Sequence, residues 1–308
     1  MSDQVKEKRF MKNLVALHGV IVPLVTPFDE HNQIDFAGLR RVVDFVVLKG
    51  VHAVMIAGTT GEGMLLSLDE RKALLEAVLA QVNGRIPVIA HIGCIDTGST
   101  VELSRHAAKA GADFISAIVP YFFTFSDGQL FDHFKTVAEA VPETPMLLYA
   151  FPGNTKNDIS PDLLGRMLKS IPNIVGIKSS NDDLIRFQDY VQVGGKGFFP
   201  CFGVDELMLG GLVFGSQAQV SGNANSFPEP FLQLYQAFKG GNIPLAQQLQ
   251  QTVNAIVSLH SAGKTTAFYK ATLKIRGIPA GRVRPPMREL TSKELEEVQR
   301  EIKRLALI

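Results

Sequence analysis

The 308-residue chain predicts an α/β fold, a TIM (β/α)8 barrel with a C-terminal helical extension. Three observations carry that expectation. Eight short runs rich in Val, Ile, Leu and Ala are apolar at consecutive rather than alternate positions, as strands buried on both faces are. Stretches with helical spacing separate them, and strand alternating with helix is the pattern of a parallel sheet. The first run continues into Val22-Pro23-Leu24-Val25-Thr26-Pro27-Phe28, which lacks the Gly-x-Gly-x-x-Gly turn of a doubly wound dinucleotide-binding sheet.

In chain order the expected strands are 19–25, 52–57, 87–92, 113–119, 145–150, 174–178, 197–202 and 217–221. Phe36, Leu39, Val43, Val46 and Val47 share one helical face, as do Leu74, Ala77 and Val78. Asp69 and Ser160 stand where N-caps are expected, and Pro161 takes the first helical position after Ser160. Beyond about residue 240 the pattern is purely helical, over 243–262, 264–276 and, after Pro285-Pro286, 292–305. The expected organisation is an N-terminal extension over 1–14, a barrel over 15–240 and a helical segment over 241–308 packed on it.

Composition narrows the partners. With 46% hydrophobic and 20% charged residues the chain can bury a large core, and a net charge of +1 supplies no global field for nucleic acid or an anionic membrane. No apolar stretch approaches the roughly 18 to 20 residues that span a bilayer, and residues 1–9 carry mixed charges, unlike a signal peptide. The expectation is a soluble, cytoplasmic protein acting on small molecules. Cys94 and Cys201 are too few for a disulfide framework, and the seven histidines show no metal-ligand spacing, so no metal site is expected.

The chemistry-bearing residues lie where expected strands end, which in such barrels is the active-site face. Lys178 closes Ile174-Val175-Gly176-Ile177-Lys178. An apolar strand disfavours the charged form of an amine, and an uncharged amine attacks carbonyl carbon. The plain alternative is a lysine that snorkels to water or pairs with Asp182 or Asp183. Tyr149 ends the fifth run, as an acid–base group or as packing. Gly58-Thr59-Thr60-Gly61-Glu62 follows the second run, and such a turn either presents N–H groups and hydroxyls to a carboxylate or merely connects. Together the three suit a 2-keto acid, with the lysine forming the imine, the turn holding the carboxylate and the phenol moving protons.

In these motifs, together with Thr26-Pro27-Phe28, Pro120-Tyr121 and Pro152, the chain resembles the pyruvate-dependent class I aldolases and lyases. That family includes dihydrodipicolinate synthase, N-acetylneuraminate lyase and 2-keto-3-deoxygluconate aldolase. The resemblance covers nearly the whole chain. It implies Lys178 as the Schiff-base lysine, Tyr149 as the proton-transferring phenol, and Thr59 with Thr60 as carboxylate and relay hydroxyls beside Gly58. It also implies a covalent lysine–pyruvate imine in place of a cofactor, keto-acid and aldehyde substrates, and a homotetramer or homodimer with Tyr121 and Phe122 near the subunit boundary.

Two departures bear on the substrate. Where the synthases carry an arginine for the aldehyde's carboxylate this chain has Asn154, which cannot make a bidentate ion pair and is instead a candidate contact for a different acyl or acidic substrate tail. Where they carry a second relay tyrosine it has Phe122. By contrast, Gly203-Val204-Asp205-Glu206 and Val220-Ser221 resemble the lyase segments that bind a polyol tail, and Ser180 is a further candidate for substrate hydroxyls. The alternative for Asp205 and Glu206 is a helix start. Cleavage of a 2-keto-3-deoxy sugar acid is the leading expectation and the synthase reaction the second. The third is a keto-acid-binding barrel without catalysis, opposed by intact Lys178, Tyr149 and Thr59.

Overall fold

Parallel pairing of strands buried on both faces needs unbroken apolar runs, and the runs become strands at each expected place. The computed structural model describes residues 14–260 and 265–308. Its strands are β1 (Gly19–Pro23), β2 (Ala53–Ile56), β3 (Val88–His91), β4 (Phe114–Ile118), β5 (Met146–Ala150), β6 (Ile174–Ser179), β7 (Phe199–Phe202) and β8 (Ala218–Val220). They follow one another in chain order and close into a barrel, the expected fold. Most are shorter than the apolar runs. β2 stops at Ile56 because Ala57 takes a left-handed backbone, φ +55°, incompatible with extended pairing.

The extension expected over 1–14 lies outside the described residues apart from Leu14, as do residues 261, 262 and 264 of the expected C-terminal helices. The chain forms two compact units, one of residues 87–220 with 14–19, the other of 20–86 and 221–308. In the first, β3 to β8 pair side by side over a core that includes Phe114, Phe134 and Phe199, and Phe187 meets Phe202 edge-to-face at 4.9 Å. In the second, β1 pairs with β2, Ile21 opposite Ala53, and Phe28, Phe227, Phe231 and Phe268 are fully buried.

Local caps explain where helices begin. Ser160 accepts from Leu163 N at 3.1 Å with Pro161 first in the helix, as expected. Asp69 is not a cap. The helix Leu68–Val82 starts two residues earlier on a capping box, in which Ser67 Oγ accepts from Glu70 N at 3.2 Å and Ser67 N donates to Glu70 Oε2 at 2.8 Å. Asp69 sits in the first turn. The C-terminal helices Ile243–His260, Thr265–Ile275 and Ser292–Arg304 belong to the second unit, where Arg276 makes a bidentate pair with Glu229 at 2.6 and 2.8 Å. No helix among the described residues is long and apolar enough to cross a membrane.

Candidate active site

The first unit assembles the lysine and its neighbours from three adjacent strands, β5, β6 and β7. Register fixes the central pair: Tyr149 on β5 lies directly opposite Lys178 on β6. The Lys178 Nζ stands 3.9 Å from the centroid of the Tyr149 ring, and the two residues are 6% and 2% exposed. Asp183 is committed elsewhere, capping the helix Leu184–Gly194 by accepting from Arg186 N at 3.0 Å. The amine is therefore folded over the phenol ring rather than extended into water.

Three further groups surround this pair. Ser180 donates from Oγ to Tyr149 Oη at 3.4 Å, a long contact. Gly203, just past β7, lets the chain pass close: a Cβ there would sit 2.4 Å from Ser180 Oγ and 3.2 Å from Lys178 Cε. Cys201 is the register partner of Lys178 on β7. Burial pushes its thiol up to about 12, outweighing the lysine's opposite effect, so it stays a protonated packing group near neutral pH.

The expected substrate-facing residues divide. Asp205 is buried and accepts from Gln219 Nε2 at 2.8 Å, whereas Glu206 is exposed, both in the short 3-10 turn Asp205–Leu207. Asn154 is exposed on the short helix Pro152–Thr155. Phe122, at φ +77° and 69% exposed, stacks edge-on against Phe123, with Lys156 Nζ 6.0 Å from its ring. Tyr121 is half-buried. Their loop is held by Asn157, whose amide donates to the carbonyls of Pro120 and Phe123 at 2.8 and 2.7 Å and accepts from Phe125 N at 2.8 Å. Val220 ends β8 in the barrel wall.

The second unit carries the turn after β2 and Ser221. Gly58 is buried, but Thr59 is exposed and Thr60 half-buried, so the two hydroxyl residues protrude from a tightly bonded turn. Gly63 N donates to Gly58 O at 3.0 Å, Glu62 N to Thr59 O at 3.1 Å, and Thr26 Oγ1 to Gly61 O at 2.7 Å. Gly63 is obligatory, since a Cβ would fall 1.8 Å from Ala57 O. Ser221 is buried and accepts at Oγ from Ala224 N at 3.2 Å.

Two residues of the first unit escaped the sequence reading. His91, at the end of β3, meets Tyr149 edge-on at 6.1 Å, and the strand-end rule would have found it. Gln219 is a polar residue within the apolar β8, the one sequence signal for a buried partner such as Asp205. Among the described residues no group of three or more His, Cys, Asp or Glu is placed to hold a metal ion.

Comparison with known proteins adds to this geometry. The Dihydrodipicolinate synthetase family model matches residues 16–305. A 4-hydroxy-tetrahydrodipicolinate synthase of Methanopyrus kandleri is 36% identical, covering 95% of this chain and 97% of its own. An N-acetylneuraminate lyase of Rhizobium meliloti is 34% identical, covering 91% and 93%. Among solved structures, a catalytic-lysine mutant of the sialic acid aldolase of Ruminococcus gnavus superposes with a TM-score of 0.92 at 29% identity, covering 96% of this chain and 97% of that one.

Proposed function

Because this chain belongs to the dihydrodipicolinate synthetase family, and is thereby a pyruvate-dependent lyase acting through a lysine imine, we propose that Lys178 is the imine-forming lysine and that the enzyme cleaves a 2-keto-3-deoxy sugar acid to pyruvate and an aldehyde. The single observation that carries the assignment is the buried amine of Lys178, 3.9 Å from the Tyr149 ring at the strand ends. A solved relative with a catalytic lysine supports it.

In this reading the Lys178 amine adds to the C2 carbonyl and water leaves, giving a protonated imine. Tyr149 accepts the proton of the C4 hydroxyl as its own phenolic proton passes to water, and the C3–C4 bond breaks to release the aldehyde. The electron pair passes to the imine nitrogen as an enamine. Protonation at C3 and addition of water then free pyruvate and the amine. Because the imine is the electron sink, the proposed chemistry calls for no cofactor. Thr59 and Thr60 hold the keto-acid carboxylate, and Gly58 shapes their turn. Asp205, with Ser180, Gly203, Glu206, Val220 and Ser221, forms the surroundings of the polyol tail, and Gln219 fixes the Asp205 carboxylate by donating to it.

A second reading, condensation of pyruvate with aspartate semialdehyde, is favoured by the 36% identity to a synthase. Asn154 opposes it, since it offers no cation for the second carboxylate. Measuring pyruvate consumption with aspartate semialdehyde and pyruvate release from 2-keto-3-deoxy sugar acids separates the two. Faster turnover with the semialdehyde would overturn the sugar-acid assignment. We also propose a cytoplasmic homo-oligomer, dimer or tetramer, with Tyr121 and Phe122 at the subunit boundary. The exposure of Phe122 and Phe123 supports that placement.

A further inference from the structure

Lys270, on the helix Thr265–Ile275, is a second buried amine, and the chemistry above does not use it. Its side chain is 1% exposed and its Nζ lies 2.6 Å from Glu62 Oε1, on a side chain that is 0% exposed. The same Nζ donates to the Arg282 carbonyl at 2.5 Å and stands 4.6 Å from the Phe28 ring centroid. The other Glu62 oxygen, Oε2, accepts from Arg284 N at 2.8 Å. Burial pushes the Lys270 amine down from its ordinary range, and Glu62 opposes that shift. Two fully desolvated charges gain little over an apolar pair of the same volume, so stability alone is a weak reason for them.

The backbone of Glu62 supplies another reason. Glu62 closes the Gly58–Glu62 turn and takes a left-handed conformation, φ +56°, which is costly for a residue with a Cβ. In that conformation its N–H donates to the Thr59 carbonyl at 3.1 Å, and its own carbonyl accepts from Leu65 N at 2.8 Å. The Glu62 carboxylate is gripped by groups more than 200 positions away in sequence, with Lys270 at a separation of 208 and Arg284 at 222. Holding the carboxylate keeps the residue in its unfavourable backbone region, and that backbone in turn holds Thr59. Thr59 is exposed, while Gly58, Gly61 and Glu62 are buried.

We infer that Lys270 is a positioning residue for the keto-acid site: by clamping Glu62 from the C-terminal helical segment, it keeps the Thr59–Thr60 turn in the geometry that binds the substrate carboxylate. This rests on the reading of that turn given above. Lys270 touches no substrate, so its loss weakens keto-acid binding and leaves the imine chemistry of bound pyruvate unaltered.

The test is pyruvate-dependent trapping with borohydride, read by intact mass, on the wild type, Thr59→Val and the double variant Lys270→Met/Glu62→Gln. The double variant is chosen because Lys270→Met alone strands a buried carboxylate and endangers folding. With melting temperature close to wild type, the double variant is expected to need at least 10-fold more pyruvate for half-maximal trapping, with the same final extent. Thr59→Val is expected to shift in the same direction. A rise in Thr59→Val with a double variant within twofold of wild type overturns the inference alone. No rise in Thr59→Val refutes the carboxylate reading, and the inference falls with it. Should the double variant fail to fold, amide exchange on the wild type decides. Trapped pyruvate is expected to slow exchange in peptides covering 266–284 as well as 58–63, and unchanged exchange in 266–284 overturns the clamp.

Discussion

Tyr149→Phe removes one oxygen and leaves the ring. The contacts of that ring, with Lys178 Nζ at 3.9 Å, Phe151 at 5.9 Å and His91 at 6.1 Å, do not depend on the hydroxyl. The hydroxyl itself receives a 3.4 Å hydrogen bond from Ser180, a long one, so its loss costs about 1 kcal/mol of stability or less. Catalysis responds differently if the phenol moves the proton. General acid–base groups contribute about 100- to 10,000-fold, equivalent to roughly 2.7 to 5.5 kcal/mol of barrier. The variant is therefore expected to melt like the wild type and form the trapped pyruvate adduct at Lys178, yet to release pyruvate at least about 100-fold more slowly. The paired assay is adduct formation by mass and continuous pyruvate release from a 2-keto-3-deoxy sugar acid. Turnover within threefold of wild type would refute the role given to Tyr149, and loss of the adduct would show that the phenol is needed earlier.

Gly203→Ala places a Cβ 3.2 Å from Lys178 Cε and 2.4 Å from Ser180 Oγ, so the serine must rotate and the lysine stem must yield. Trapping is expected to slow by about 10-fold at a stability cost of about 1 to 3 kcal/mol, and an unchanged trapping rate would contradict the close approach. Asp205→Ala is expected to raise KM for the sugar acid about 10- to 100-fold, the worth of a hydrogen bond to a charged group, with pyruvate trapping within twofold. An unchanged KM would remove Asp205 from the tail site. Glu229 supplies a pH prediction. Burial pushes its carboxyl up, but hydrogen bonds from Arg276 and Lys49 outweigh that and hold it at about 2, against an ordinary 4.5. A depressed carboxyl stabilises the fold above its unfolded value, and that contribution fades as pH falls from about 4.5 through about 2. Melting temperature is expected to fall more steeply over this range in wild type than in Glu229→Gln, and equal slopes would contradict the pairing.

What the sequence revealed follows from what it encodes locally. Barrel strands are buried on both faces, so each is written as an unbroken apolar run and needs no knowledge of its neighbours. A lysine or tyrosine at the end of such a run is conspicuous because it breaks the run, which is why Lys178 and Tyr149 were legible while their 3.9 Å approach, set by register, was not. Asp69 misled because aspartate and serine are equally good caps, although the Ser67-x-x-Glu70 spacing, whose reciprocal bonds form here, already marks Ser67 in the sequence. Gln219 and Lys270 are polar residues in apolar segments whose partners, Asp205 and Glu62, lie 14 and 208 positions away. Spacing carries no record of such pairings. For Phe122 the sequence offers a resemblance but no conformation: its φ of +77° and its exposure are set by the loop and leave no mark in a Tyr-Phe-Phe run.

The most direct test of the central claim is intact-protein mass spectrometry after borohydride treatment with pyruvate, comparing wild type with Lys178→Ala. One reduced pyruvate adduct is expected on the wild type, mapping to the peptide that contains Lys178, and none on the variant at equal folding. An adduct that persists in Lys178→Ala, or a folded wild type that forms none, would contradict it.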